Sequence, residues 1–333
     1  MKKDEGSLVL GSRNFQAKTK RDRHATIVKE ISESFIDSNN KELKKELLKK
    51  RNCPLCKKSP KNSQILFVKD GFYYRKCKSC MLVYVSPVLK DEVLKKAYAE
   101  SEYSKSWMEV LLTPIEQRFN QPKFDRGIME IERICGSKGK ILDVGCAVGQ
   151  FLLAAKNSGW EAIGLELNKK GYKYCESLDF EVVNKPLTDN LFPPETFDAV
   201  SMWEVLEHVP YPREIIKCIY KILKPNGVLL IVVPNRDALA ARVLQEKCNL
   251  FFGMGHINMF NNHTLSNLLK EENYNISHCS TFTSEISVIN NYLNYEHPYF
   301  GECQEIHPLF SVLTEEYILK NLLGYKLKII ARK

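Results

Sequence analysis

The chain has 333 residues, of which 44% are hydrophobic and 10% aromatic, enough to bury the core of a full α/β domain with a smaller module beside it and too much for a disordered chain. No apolar run reaches the ~20 residues of a membrane-spanning helix, and the first residues, MKKDEGSLVLGSRN, lack the apolar centre of a secretion signal, so the expectation is a cytoplasmic protein. The formal charge of +9 excludes an evenly basic surface: residues 1–61 carry 17 Lys/Arg against 8 Asp/Glu, and the remaining bases and acids cancel.

Residues 1–50 read as a basic, partly helical arm. Up to residue 24 no pattern is visible. From Thr26 to Lys50, Ile27, Ile31 and Phe35, then Leu43, Leu47 and Leu48, recur at helical spacings on either side of a polar break at 38–40, which predicts two short amphipathic helices. Such an arm can bind nucleic acid or an anionic membrane surface, or can be a solvated extension.

Next come Cys53-Pro-Leu-Cys56, twenty residues, and Cys77-Lys-Ser-Cys80. Two Cys-x-x-Cys knuckles at this separation predict a four-thiolate structural Zn²⁺ site in a ribbon over 51–87, with ILFVKD and FYYRKC as strands. Four thiolates close the tetrahedron, so the metal should fold the module rather than catalyse. Eleven cysteines without an export signal fit thiols and metal better than disulfides. Residues 88–138 are helical by pattern, a cap or linker in which Tyr103 and Arg126 could face a ligand or simply pack.

The stretch KILDVGCAVGQF, Lys140 to Phe151, then runs from an apolar strand through Gly145, Ala147 and Gly149 into the helical pattern FLLAAKNSGW. A strand, a glycine turn and a helix N-terminus hold a nucleotide-like ligand, because missing side chains admit the ligand and the first helical N–H groups point at it. The spacing is not the dinucleotide fingerprint, since Ala147 and Gln150 stand where that pattern requires glycine. It reads Asp143-x-Gly145-x-x-x-Gly149, which resembles motif I of S-adenosylmethionine (SAM)-dependent methyltransferases of the Rossmann-like class.

The resemblance implies an α/β, doubly wound, seven-stranded sheet over 139–333. KILDVGC, WEAIGLEL, FEVVN, FDAVSMW, GVLLIVVPN, NISHCSTF and GYKLKIIARK are its strands, with a helical insertion near 284–323. It also implies SAM as cofactor. Asp143, Gly145, Cys146, Ala147, Gly149 and Phe151 then face the methionine half. Glu166, followed by Leu167, takes the ribose hydroxyls, and Trp203 borders the methyl. Relatives often place an acid after strand three; here Asn184, Lys185 and Pro186 stand there, so adenine is expected against the backbone around Pro186 and Leu187. A zinc module ahead of such a core resembles bacterial methyltransferases acting on sugars and related metabolites. The sugar C-methyltransferases among them carry a further large domain, for which this sequence has no room.

After strand four comes Trp203-Glu204-Val205-Leu206-Glu207-His208. His208 can act as general base toward a hydroxyl. Alternatively Glu204, Glu207 and His208, whose spacing resembles the metal triad of ubiquinone-pathway and small-RNA 2′-O-methyltransferases, can hold Mg²⁺ or Mn²⁺. A third role for the segment is purely structural. His256, with Phe260 before the helix that Thr264 begins, resembles the His-x-x-x-Phe segment of the same enzymes and is a second candidate base or ligand. Pro234 and Asn235 are expected on the substrate side, and His263, His278, His297 and His307 at surface or packing positions. The acceptor implied is a small molecule, a sugar, glycolipid or related metabolite. An RNA methyltransferase gripping nucleic acid with arm and ribbon, and a non-catalytic interaction protein, are the alternatives.

Overall fold

The apolar runs VLLIVV and IIA pair side by side as the third and second strands from one edge of a seven-stranded sheet. In the computed structural model of the protein, which describes residues 13–94 and 101–333, the N-terminal part holds helices α1 (Arg13–Lys18) and α2 (Arg21–Ser34). Short strands follow: β1 (Leu48–Lys49), β2 (Ser63–Lys69), β3 (Phe72–Cys77), β4 (Val83–Val85) and β5 (Val88–Leu89). Helices α3 (Glu102–Leu111) and α4 (Pro114–Cys135) lead to the sheet. The rest runs β6 (Lys140–Val144), α5 (Gln150–Asn157), β7 (Glu161–Leu165), α6 (Lys169–Ser177), β8 (Glu181–Val183), β9 (Phe197–Trp203), α7 (Pro212–Ile222) and β10 (Leu223–Pro234). It closes with α8 (Leu239–Leu244), β11 (Asn258–Met259), α9 (Asn262–Glu271), β12 (Asn275–Phe282), α10 (Ile286–Leu293), α11 (Glu315–Lys320) and β13 (Lys326–Arg332).

The large sheet has the order β12-β13-β10-β9-β6-β7-β8. The β10-β9-β6-β7-β8 strands are mutually parallel, and β13 runs antiparallel between β10 and β12. Strands covered on both faces read as unbroken apolar runs, and Val228 to Val233 are all fully buried. The strand order reverses between β6 and β9. That switch point opens a crevice at the carboxyl ends of the strands, where α/β folds bind ligands.

In the N-terminal part, residues 13–18 and 21–34 are helical where the sequence showed no pattern before residue 24. Tertiary contacts supply what propensity lacks: Phe15 is fully buried against Phe119, and Arg21 pairs with the buried Glu116. The second predicted helix is reduced to one 3-10 turn, Lys45–Leu47. Asp37 and Asn40 accept from the Asn39 and Glu42 amides in side-chain turns that compete with a helix. Ile36 instead bridges to Leu43, and Leu48 pairs with Leu89.

The cysteine module is a three-stranded antiparallel ribbon, β2-β3-β4, extended by a fourth strand, β11, from the far end of the chain. Both knuckles have one design. Lys57 N–H reaches Cys53 O and Met81 N–H reaches Cys77 O, and Lys57 and Met81 both take left-handed backbone. Arg213 joins the ribbon to the core, donating to Leu55 O while pairing with Glu271 and Glu272. No helix among the described residues is long and apolar enough to cross a membrane.

Candidate active site

At the switch point the chain builds one cavity of about 1810 Å³, larger than the few hundred to a thousand Å³ that a single ligand usually occupies. Its floor is the glycine turn. Gly145 and Cys146 donate their N–H groups to Leu165 O, and Gly145, Ala147 and Gly149 have φ of +81°, +51° and +75°. A Cβ on Gly145 would meet Val205 at 2.5 Å, so only glycine fits that turn. Ala147 tolerates the left-handed region at some cost in strain.

Glu166, at the end of β7, locks the turn by accepting from Ala147 N–H at 2.7 Å and Asn168 N–H at 2.6 Å. Its oxygens keep lone pairs for further donors, as a ribose would require. Asp143 is buried and accepts from Ser201 Oγ at 2.6 Å; burial pushes its carboxyl up to about 7. Phe151 and Trp203 pack with Phe124 at the cavity wall. Leu167, Pro186 and Leu187 border the cavity beside the turn, and the Asn184 side chain is spent on Glu166 O. Gly149 does not border the cavity. It admits Phe180 and Cys175 behind the turn, where a Cβ would stand 3.0–3.1 Å from both.

Opposite the turn, Glu207, His208 and His256 converge, each offering one ligand atom within 4.8 Å of the others. His208 Nδ1 lies 3.0 Å from Gly255 O and His256 Nδ1 lies 2.8 Å from Leu250 O. A carbonyl only accepts, so Nδ1 carries the proton in both rings and Nε2 is the basic nitrogen. The rings meet edge to face at 4.9 Å. Burial lowers His208 to about 4, and burial with the neighbouring His208 lowers His256 to about 3, so both are neutral at pH 7. Both oxygens of Glu207 are buried without a hydrogen-bond partner among the described residues, Oε1 lying 3.9 Å from His208 Nε2, and burial, then the Glu204 charge, pushes its carboxyl up to about 8.

Glu204 stands apart from this trio. It takes left-handed backbone, φ +57°, and its carboxylate pairs with Lys326 and with Lys123 at 3.6 Å. Against the cost of burial, those ammonium groups hold it well below the usual range. The triad of Glu204, Glu207 and His208 expected from spacing therefore does not converge, and His256, 48 residues downstream of His208, takes the third place. Asn235 is likewise not on the substrate side: its amide donates to Leu322 O and Gly324 O. Phe260 is core, and Thr264 closes a capping box with Asn261 at the start of α9.

Tyr103 and Arg126 do border the cavity, and so do His278 and His297, which the sequence assigned to surface or packing positions. Sequence reading missed Arg21, His24, Lys123, Glu285 and Lys326, all on the cavity wall. No motif surrounds them; only the alternation of β13, which puts Lys326 and Lys328 on one face, carries a signal, and only for Lys326 among the five.

The four cysteines converge as well, with Cys53 and Cys80 sulfurs 3.4 Å apart, Cys56 and Cys77 3.5 Å, and all four within 4.8 Å. Tetrahedral Zn–S bonds of about 2.3 Å require sulfurs about 3.8 Å apart, so this donor set fits zinc.

The ribbon reaches the trio directly. Val85 N–H donates to Ile257 O, Ile257 N–H to Glu207 O, and Asn258 Nδ2 to Val209 O. Arg51, two residues before Cys53, donates to Val85 O, Ile257 O and Asn258 Oδ1.

The profile of a family described as a methyltransferase domain matches residues 116–278, which include the glycine turn, Glu166 and the trio. Residues 116–278 are a methyltransferase domain. Within it, the chain is 33% identical over 107 residues to a ubiquinone biosynthesis O-methyltransferase of Thiobacillus denitrificans, covering 30% of this chain and 46% of that one. It is 30% identical over 118 residues to the protein of the same name from Pseudomonas entomophila, covering 33% and 50%. The chain thus spans about half the length of the curated relatives it matches. The crystal structure of a SAM-dependent methyltransferase from Archaeoglobus fulgidus superposes with a TM-score of 0.51 at 20% identity, over 70% of this chain and all of that one, a likeness of fold.

Proposed function

We propose that the protein transfers the methyl group of SAM to a hydroxyl of a small-molecule acceptor, a sugar, glycolipid or related metabolite. The observation that carries this reading is that the Glu166-locked glycine turn and the Glu207–His208–His256 trio face one cavity. SAM would lie along Asp143, Gly145, Cys146 and Ala147, with its ribose on Glu166 and its adenine by Leu167, Pro186 and Leu187. The protein's part in the reaction is to hold the acceptor oxygen in line with the sulfonium methyl and to take its proton. His208 Nε2, basic and neutral at pH 7, is the base, and His256 Nε2 is placed to share or relay the proton. Glu204 acts from outside this group by fixing Lys326 and Lys123.

A second reading has one specific observation in its favour, the unpartnered Glu207 carboxyl beside two imidazole Nε2 atoms. One carboxylate and two imidazoles suit Mn²⁺ or a later transition ion better than Mg²⁺. Glu207, His208 and His256 would hold such an ion, which would acidify and orient the acceptor hydroxyl. At the ribbon, the thiolates of Cys53, Cys56, Cys77 and Cys80 would hold structural Zn²⁺, so that arm and ribbon cover and brace the acceptor side.

The test is SAM with a labelled methyl group, incubated with the purified protein and a native lysate, then separated into nucleic-acid, protein, lipid/polysaccharide and small-molecule fractions. Label in the last two is the expected result; label in nucleic acid or protein overturns the acceptor assignment.

A further inference from the structure

The cavity continues beyond the trio to a wall the proposed chemistry does not use. Phe252 leads there: its ring stands 5.9 Å from the His256 ring on one side and stacks at 6.1 Å on Tyr103 on the other. The same cavity is lined by Glu285, just ahead of α10, in left-handed backbone at φ +53° and only 7% exposed. Its Oε2 is buried without a hydrogen-bond partner among the described residues. The cation facing it, Lys326, is already paired with Glu204. The charge of Glu285 acts on the phenols of Tyr299 and Tyr325, both buried, and all three line the same cavity as Phe252, Phe300 and Asn249.

A carboxyl oxygen buried without a partner carries a desolvation cost that no contact among the described residues recovers. The same carboxyl set among aromatic faces is what a ring-shaped ligand needs when it carries a donor at its edge. The rings take the apolar face and the carboxyl takes the O–H or N–H. An anionic group at this point would meet a desolvated acid and be rejected.

We infer that Glu285 and its aromatic surround form a subsite that selects acceptors by a hydroxyl or ammonium donor on a flat apolar ring and rejects a carboxylate there. This rests on the methyl-transfer reading and narrows its acceptor, among small metabolites, to one with such a ring rather than a sugar, its donor end pointing away from the methyl. Hydroxyl and ammonium share the donor chemistry, and the test separates them.

The probes are benzyl alcohol, benzylamine and benzoate, three ring fragments differing in that group. Each is titrated by saturation-transfer NMR into protein saturated with S-adenosylhomocysteine (SAH), the demethylated cofactor. Wild type is expected to bind the alcohol or the amine, whichever source supplies the donor, and not benzoate. Glu285→Leu should weaken that binding by about tenfold or more while SAH affinity stays within twofold, and its melting temperature should rise because the orphan carboxyl is gone. Glu285→Gln, which keeps an acceptor oxygen but cannot become an anion, should retain the alcohol and lose any preference for the amine. Equal fragment binding by Glu285→Leu, preference for benzoate, no fragment bound by wild type, or a fall in melting temperature would overturn the subsite. Failure of wild type to bind SAH would instead defeat the methyl-transfer reading beneath it.

Discussion

The two sides of the cavity are built in opposite ways. The glycine-turn side, where we propose the cofactor, is local: Asp143 to Phe151 and Glu166 to Asn168 lie on consecutive strand–helix units and are tied by short-range hydrogen bonds. The side proposed for the acceptor is assembled from Lys123, Glu204 to His208, His256, Glu285 and Lys326, with Arg51 bracing it from the ribbon, segments spread over most of the chain. A site held by its own turn should fail one interaction at a time. A site held by distant segments should fail when any brace is removed.

The sharpest break of that contrast is at the ribbon. With zinc held by the four thiolates as proposed, Cys80→Ser should abolish zinc binding and, at a cost on the order of 5 kcal/mol, lower the unfolding midpoint by about 10 °C or more. Zinc content by mass spectrometry and thermal unfolding on one sample check this. Next in size, His208→Ala should lower turnover by about 10²–10⁴-fold, the worth of a positioned base, while SAH binds within twofold of wild type.

Arg51→Met tests the brace itself. It removes the Arg51 donor from Val85 O and Asn258 Oδ1 and leaves Ile257 O with Val85 N–H alone, so turnover should fall by about tenfold with zinc content and SAH affinity unchanged. Should the ribbon be an independent module, turnover would not move. Glu166→Gln probes the other side and should weaken SAH by about tenfold, read by calorimetry, with turnover at saturating SAM nearly intact.

The smallest effect is on pH. Because burial depresses His208 to about 4 and His256 to about 3, the two imidazoles stay unprotonated down to about pH 5 and should themselves impose no fall in turnover above it, whereas Glu207 and Asp143, pushed up to about 8 and about 7, titrate within that range. Loss of half the activity near pH 6.5 through either imidazole would mark an exposed ring instead. For stability the sign is the reverse of a salt-bridged histidine. The unfolded rings bind protons below about 6.5 and the folded ones do not, so stability falls as pH drops from about 6.5 toward 4.

The same contrast explains what the sequence made legible. The seven strands, the glycine turn, Glu166 and the paired knuckles are written in local periodicity and spacing, and the structure brings them where those patterns imply. Glu204 shows the limit. Spacing alone put it with Glu207 and His208, but its left-handed backbone turns the carboxylate to Lys326 and Lys123, a partnership that depends on β13 entering the sheet 122 residues later. Leu43, Leu47 and Leu48 had helical spacing, yet they anchor the chain beside the ribbon because Asp37 and Asn40 end the helix first. Glu285 had no local signal at all, since only packing makes a lone acid on a polar stretch into a buried one.

The most direct test of the central claim takes wild type and the double variant His208→Ala/His256→Ala and measures SAH affinity and labelled-methyl turnover on the same preparations. Unchanged SAH affinity with turnover lost is the predicted result. Turnover that survives, or SAH binding that collapses together with it, would contradict a division of the cavity into a self-contained cofactor side and an assembled catalytic side.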